Sequence, residues 1–140
     1  TQGFQQLYGI ELQQYAVEKS KTLCEGINII QGSAFDIPFK DNYFNLVYTS
    51  GVLIHISPED INTIMDEMVR TSNKYIWGFE YYADEYSHVS YRGEEGKMWK
   101  GNFAQLFLDR YSNLKLVKKQ NYPYIGNDNV DQMYLLEFVE

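Results

Sequence analysis

The chain has 140 residues, of which 44% are hydrophobic and 22% charged, a size that predicts one domain over residues 1–140 with a core of its own. Its single cysteine, Cys24, excludes an intrachain disulfide framework and a cysteine-rich zinc site, and no other metal-ligand pattern is present. The net charge of -7 without a basic stripe argues against a nucleic-acid partner, and the lack of a long apolar run or leader predicts a cytoplasmic protein that does not enter membranes.

Strand-like and helix-like segments alternate along the first part of the chain, which predicts an α/β domain with a mainly parallel sheet. Residues 7–10 (Leu-Tyr-Gly-Ile) predict a short strand that ends at the acid Glu11. The helical spacing of the next segment predicts a helix over residues 12–24. Two further strands are predicted over residues 27–30 and 44–49.

The second part begins with a strong helix signal. Ser57 is placed to N-cap, Pro58 suits the first helical position, and Asp60 completes the spacing of a capping box. An apolar stripe that runs to Val69 follows this start. The remaining pattern predicts a strand over 75–79, a long functional loop over 81–101, a helix over 102–111, and final strands near 114–117 and 134–139.

A strand that ends in an acid and leads at once into a helix is the first feature that bears on function. In nucleotide-binding α/β folds, an acid at the end of the second strand accepts hydrogen bonds from ribose hydroxyls. Glu11 occupies such a position, and its carboxylate has two acceptor oxygens for a diol. An acid there also favours the N-terminus of the next helix, so the residue alone leaves both interpretations open.

The segment over residues 31–39 (Gln-Gly-Ser-Ala-Phe-Asp-Ile-Pro-Phe), followed by the strand over 44–49, is the second feature. It resembles the adenine-binding stretch of class I S-adenosylmethionine-dependent methyltransferases, in which a strand ends in Gly-Asp-Ala and continues into Leu-Pro-Phe. Ser33 and Asn45 stand where that family usually has aspartate. The resemblance implies a Rossmann-like methyltransferase sheet that is mainly parallel with an antiparallel C-terminal strand, and S-adenosyl-L-methionine as cofactor. It places Glu11 and Leu12 at the ribose, and Ser33, Ala34 and Phe35 at the adenine.

The segment over residues 49–56 (Thr-Ser-Gly-Val-Leu-Ile-His-Ile) resembles the loop that runs beneath the cofactor in the same family. The resemblance implies that Ser50, Gly51 and Val52 line the methionine end of the cofactor, where Gly51 lets the backbone come close to a ligand. His55 has three readings: a support for the loop, a general base, or a satisfied interior histidine. Support ranks first and catalysis second, because a single histidine is weak support for catalysis.

Several later motifs resemble a narrower branch, the methylases associated with pseudaminic acid biosynthesis. They lie over residues 51–58, 72–76, 80–82 and 91–93, in the order that this branch has. The resemblance implies methyl transfer to a small-molecule acceptor, a sugar or acidic-sugar intermediate of surface-glycan biosynthesis, with Glu80 and His55 as the candidate catalytic bases.

The same branch places the acceptor beside Tyr81, Tyr82, Tyr91 and Arg92. Arg92 is suited to grip a carboxylate, and the tyrosines to stack on a sugar. An equally weighted alternative is that the tyrosines pack the loop against the sheet, while Arg92 pairs with a nearby acid.

The glycine-rich turn after the first strand of the family is absent from the sequence, so we expect a fold that lacks its first strand-turn-helix unit. Since the sequence opens at Thr1, one explanation is an N-terminal truncation. The others are a rearranged chain or homo-oligomer that covers the gap, and a degenerate relative. We expect these residues alone to bind the cofactor weakly or not at all. A non-catalytic binding or scaffold module is therefore the alternative to an enzyme.

Overall fold

The structure, a computed structural model, describes residues 6–90, 93 and 96–139. The chain divides into two compact units, Thr1–Phe39 and Lys40–Glu140. In the first unit, strand β1 (Tyr8–Glu11), helix α1 (Gln14–Leu23) and strand β2 (Asn28–Gln31) follow one another. The two strands pair in parallel with Tyr8 opposite Asn28, so their carboxyl ends are neighbours.

The second unit contains the remaining elements of the described chain. They are β3 (Phe44–Ser50), a single 3-10 turn (Leu53–His55), α2 (Ile61–Thr71), β4 (Ser72–Tyr81), β5 (Ser87–His88), β6 (Trp99–Lys100), α3 (Phe103–Arg110), β7 (Leu114–Pro123) and β8 (Val130–Phe138).

Four strands of the second unit form a mixed sheet in the order β3-β4-β8-β7. Strand β4 runs parallel to β3, which requires the crossover that α2 supplies, and β8 runs antiparallel to both β4 and β7. The α/β class and the antiparallel C-terminal strand are therefore confirmed. The expected predominance of parallel pairs is not found in this sheet, because β7 and β8 form a hairpin.

The core of the second unit lies on one face of this sheet. Strand β4 alternates between buried residues (Ile76, Gly78, Glu80) and half-buried ones (Trp77, Phe79), as the two-residue period of a strand requires. Helices α2 and α3 bring fully or almost fully buried side chains to the core, among them Ile64, Met65, Met68 and Phe107. Each such side chain contributes about 1.5–3 kcal/mol to folding.

Helix α2 begins later than the sequence predicts. The first helical residue is Ile61, four residues after Ser57, and the N-cap position is Asp60. The predicted capping box is wrong because the Ser57 hydroxyl donates to the Asp60 carboxylate at 3.1 Å and does not accept a backbone N–H. The backbone N–H groups of Asp60 and Ile61 bond the Ser57 carbonyl oxygen instead, which forms a turn ahead of the helix.

Three other predicted elements have different bounds. Strand β4 begins at Ser72 and not at Tyr75, and the hairpin strands β7 and β8 are longer than predicted because they pair along most of their length. The long segment after β4 also contains the short antiparallel pair β5–β6. None of the helices in the described ranges is long and apolar enough to cross a membrane.

Strands β1 and β3 are both edge strands. Among the described residues, β1 is hydrogen-bonded to β2 alone and β3 to β4 alone. Each unit therefore has a strand edge without a partner in the described part of the chain, which agrees with the expected lack of the first strand-turn-helix unit.

Gly78 is required by a close approach between β4 and β8. The two strands place Gly78 directly opposite Tyr134. A Cβ atom at Gly78 would overlap the Tyr134 ring, which is 1% exposed and cannot swing into solvent.

We expect Gly78→Ala to lower the free energy of unfolding by about 1–3 kcal/mol, since overpacking forces side chains off their preferred rotamers. Urea denaturation followed by circular dichroism measures this. Gly9→Ala is the control, because a Cβ at Gly9 would meet its nearest neighbour, the Ile29 side chain, at an ordinary 3.6 Å. Equal stability losses in the two variants would contradict the packing argument.

Candidate functional site

The carboxyl ends of β1 and β2 gather one half of the predicted site. Glu11 is aligned with Gln31, and the N–H of Gly32 donates to the Glu11 carbonyl at 3.1 Å. The residues that leave the two strands are therefore neighbours at one edge of the first unit. These are the five predicted cofactor residues of this unit: Glu11, Leu12, Ser33, Ala34 and Phe35.

The Glu11 side chain has a defined local contact. Its Oε1 accepts the backbone N–H of Gln13 at 2.9 Å, one residue before α1 begins. A carboxylate offers acceptor sites on both oxygens, so this bond orients the group without using its full capacity. The helix-start interpretation and the ribose interpretation are thus compatible in one geometry.

Ser33 lies in a tight turn after β2. Its hydroxyl oxygen accepts the N–H of Phe35 at 3.2 Å, and its carbonyl accepts the N–H of Asp36 at 3.2 Å. The Phe35 side chain is 45% exposed, which leaves a ring available to pack on a flat ligand. At Gly32 a Cβ would come within 3.3 Å of the Pro38 ring, so only glycine fits this strand exit without displacement.

The other half of the predicted site lies where β3 ends, in the second unit. Gly51 adopts a left-handed conformation with φ of 63°, which glycine reaches without strain. Its N–H donates to the Phe79 carbonyl at 2.9 Å, so the end of β3 stays attached to β4 while the chain turns. A Cβ at Gly51 would meet no atom within 4 Å, so the space above this turn is open.

Glu80 fixes the loop that follows β3. Its side chain is buried, and its Oε1 and Oε2 accept the backbone N–H groups of Val52 at 3.3 Å and Ile54 at 3.4 Å. Burial raises the pKa of Glu80 above its ordinary value, while the hydrogen bonds from the loop backbone act in the opposite direction. This arrangement gives the carboxyl a positioning function, and its function as a general base stays a prediction.

His55 connects the same loop to the segment before β6. Its Nδ1 lies 2.9 Å from the Lys97 carbonyl oxygen, which can only accept, so Nδ1 is the nitrogen that donates. The Tyr86 hydroxyl donates to the neighbouring Ile56 carbonyl at 2.7 Å. These contacts are those that a loop support requires, while a catalytic function for His55 stays a prediction.

The predicted acceptor residues are only partly described. Tyr81 lies at the end of β4 and lines a cavity, whereas the Tyr82 hydroxyl donates to the Asp84 carboxylate at 2.5 Å. That hydrogen bond is the main reason why the pKa of Tyr82 lies above its ordinary value. Tyr91 and Arg92 lie outside the described residues.

The cavity has a volume of about 230 Å³ and lies at the carboxyl ends of β3 and β4. The predicted residues Ser50, Gly51, Glu80 and Tyr81 belong to its lining. They therefore share one pocket within the second unit, as the edge-of-sheet rule for ligand sites in α/β folds leads one to expect.

Four further residues complete the lining of the cavity, and the sequence did not predict them there: Ile54, Phe79, Tyr124 and Asp131. Tyr124 follows β7, and Asp131 in β8 pairs with Tyr81 of β4. The polar run Gly-Asn-Asp-Asn over residues 126–129 is a hairpin signal between two strands. This signal would have predicted that Tyr124 and Asp131 lie close together, but not that they lie beside β4.

The two tyrosines form an edge-to-face pair with ring centroids 5.7 Å apart. Hydrogen bonding to Tyr81, burial and a hydrogen bond to Asp131 raise the pKa of the Tyr124 hydroxyl above its ordinary value. One wall of the cavity is thus aromatic and carries an acidic group beside it. Nowhere in the described ranges do three or more His, Cys, Asp or Glu side chains come together as a metal site.

Sequence comparison matches residues 1–74 to the family described as a methyltransferase domain. A search of curated proteins finds no match. Among solved structures, the chain is similar to an S-adenosylmethionine-dependent methyltransferase from Methanosarcina mazei at 12% identity and a TM-score of 0.75, with coverage of 94% of this chain and 81% of that chain.

Two other solved structures have the same fold. One is the 1,6-didemethyltoxoflavin-N1-methyltransferase of Burkholderia thailandensis with 1,6-didemethyltoxoflavin and S-adenosylhomocysteine bound, at 10% identity, a TM-score of 0.73, and coverage of 99% of this chain but 63% of that one. The other is a (4+2)-cyclase, SpnF, at 12% identity, a TM-score of 0.70, and coverage of 95% and 66%. Identities this low show a shared fold and leave the reaction open.

The raised pKa of Glu80 has a consequence for the pH dependence of stability. Below its ordinary value of 4.5 the folded and unfolded chains both hold the proton. Above it the unfolded chain releases the proton first, so this group lowers the free energy of unfolding as pH rises through the raised pKa. Glu80→Gln removes that titration. We therefore expect the variant's stability relative to the wild type to increase with pH over this range in urea titrations.

Glu137→Gln provides a control of opposite sign. A hydrogen bond from Lys115 is the largest of the effects that lower the pKa of Glu137, so its contribution is present at higher pH and lost as pH falls. This variant's relative stability should therefore decrease as pH rises. A Glu80→Gln curve that follows the Glu137→Gln curve would contradict the burial argument.

Proposed function

The chain belongs to the methyltransferase domain family, with S-adenosylmethionine as its cofactor, and from this premise we propose that it transfers a methyl group to a small-molecule acceptor. The observation that carries the proposal is the pairing of Glu11 with Gln31, the last residue of β2 before the Ser33 turn, at the carboxyl ends of the two strands. A carboxylate beside a hydroxyl-bearing turn suits the two parts of a nucleoside. The ribose diol takes two acceptor oxygens, and the adenine amino group takes one.

The residues of the first unit fit the adenosine part of the cofactor. Glu11 accepts hydrogen bonds from the ribose hydroxyls, beside the exposed Leu12 side chain. Ser33 and the adjacent backbone at Ala34 contact the polar edge of the adenine, and the exposed Phe35 ring packs on its face.

The residues of the second unit fit the methionine part. The open space above Gly51 allows a ligand to approach the backbone between Ser50 and Val52. When bound, the cofactor supplies a sulfonium methyl that is already reactive towards a nucleophile. The chain therefore contributes mainly by holding the acceptor in line and excluding water. Glu80 or His55 receives the acceptor's proton where the acceptor has a high pKa.

We propose the cavity at the ends of β3 and β4 as the acceptor site. A sugar intermediate of surface-glycan biosynthesis suits its aromatic wall, because tyrosine rings stack on sugars and their hydroxyls bond sugar hydroxyls. We propose Tyr82, Tyr91 and Arg92 as further substrate-binding residues. Recognition of an acidic sugar would depend on Arg92, which is suited to bind its carboxylate. We also propose that the enzyme is cytoplasmic and that it forms homo-oligomers.

The cofactor half of the proposal is tested by ligand-observed saturation-transfer NMR with S-adenosylhomocysteine, which detects weak binding. We expect transfer to the adenine and ribose protons in the wild type. Glu11→Ala should reduce it by about five- to tenfold, the effect of losing one charge-assisted hydrogen bond.

Glu25→Ala is the matched control, since Glu25 is an exposed acid of the same unit in the turn between α1 and β2, away from the strands' carboxyl ends. Equal transfer in the Glu11→Ala and Glu25→Ala variants would remove Glu11 from the site. Wild-type binding without methyl transfer to any sugar would favour the non-catalytic binding module.

A further inference from the structure

The cavity of the second unit is small and has a clear charge character. Its volume of about 230 Å³ is below the ~300–1,000 Å³ of pockets that enclose a drug-sized ligand, so it takes one ring-sized group. Two carboxyl groups, Glu80 and Asp131, belong to its lining. Among the described residues that line it there is no lysine or arginine.

The two carboxyl groups differ in their surroundings. Glu80 is 1% exposed and bonds the loop backbone through both oxygens, so it belongs to the wall. Asp131 is half-buried at the start of β8, where a ligand can reach it. The side chain of Asp131 is therefore the charged group that meets whatever enters the cavity.

The aromatic wall adds to the same preference. Tyr81 and Tyr124 lie beside Asp131, and both rings are only partly buried. The face of an aromatic ring attracts a cation, and a carboxylate beside it strengthens that attraction. Lys100 of β6 donates to the Asn129 side chain, between β7 and β8, at 2.6 Å.

We propose that this cavity selects an acceptor that carries an amine, with the ammonium held by Asp131 against the rings of Tyr81 and Tyr124. The inference rests on the proposed function, because it takes the occupant of the cavity to be the methyl acceptor. For a sugar acceptor it specifies an amino sugar in place of the acidic sugar that Arg92 would suit, and it places the amine at the β8 side of the cavity.

Three monosaccharides of one ring shape test the charge preference: glucosamine, glucose and glucuronate. Ligand-observed NMR titration of the full chain at about pH 6, where the amine is protonated, should show glucosamine bound about fivefold more tightly than glucose. Glucuronate should bind more weakly than glucose. Glucuronate binding as tightly as glucosamine, or no glucosamine binding at all, would overturn the inference.

Asp131→Asn separates recognition from a purely structural function. If Asp131 holds the ammonium, the variant should lose the preference for glucosamine over glucose while glucose binding stays the same. If Asp131 only holds Tyr124 in place, all three sugars should weaken together and the inference fails. Asp109→Asn, on helix α3 and outside the cavity lining, is the matched control and should keep the preference.

The measurement contains no cofactor, so its outcome is independent of the cofactor half of the proposed function. Amine selectivity without S-adenosylhomocysteine binding would support the cavity assignment and count against the proposed cofactor residues of the first unit. S-adenosylhomocysteine binding without amine selectivity would support the proposed cofactor residues and overturn the inference about the cavity.

Discussion

The hydrogen bonds between the buried Glu80 carboxyl and the loop backbone are the interaction on which the cavity of the second unit depends. A carboxyl inside a protein is costly unless hydrogen bonds compensate it, and the backbone N–H groups of Val52 and Ile54 supply them. Those N–H groups follow a strand end, where no ladder partner exists, so each side satisfies the other. The contact ties the end of β4 to the loop after β3. It therefore fixes the floor of the cavity and the turn at Gly51.

Parallel pairing explains why each unit collects its polar residues at one edge. In both β1–β2 and β3–β4 the strands end side by side, and the residues just beyond them meet without further constraint. The first pair presents an acid and a serine turn, and the second presents a left-handed glycine and a buried acid. Residues that directly follow the strands in the sequence are thus brought together because paired parallel strands end at the same edge of the sheet.

This locality decides what the sequence could predict. Strands β1, β2 and β3 lie within a residue or so of their predicted bounds, because short apolar runs ended by an acid or a glycine define them. The start of α2 was wrong because Ser57 had two partners within reach, and its hydroxyl bonds the Asp60 side chain. Asp131 was missed because its position depends on the antiparallel register between β8 and β4, which couples residues fifty positions apart.

The two carboxyl groups have different functions, so the floor of the cavity at Glu80 can be changed independently of its edge at Asp131. Glu80 is committed to the backbone, so a change there alters the loop before it alters the charge that a ligand meets. Asp131 and Tyr124 belong to the β7–β8 hairpin and do not support the Gly51 turn. Changes in this hairpin can therefore alter the chemistry of the cavity while the Gly51 turn keeps its geometry. The charge of the cavity then depends on Asp131, whose position is fixed because β8 pairs with β4 on one side and with β7 on the other.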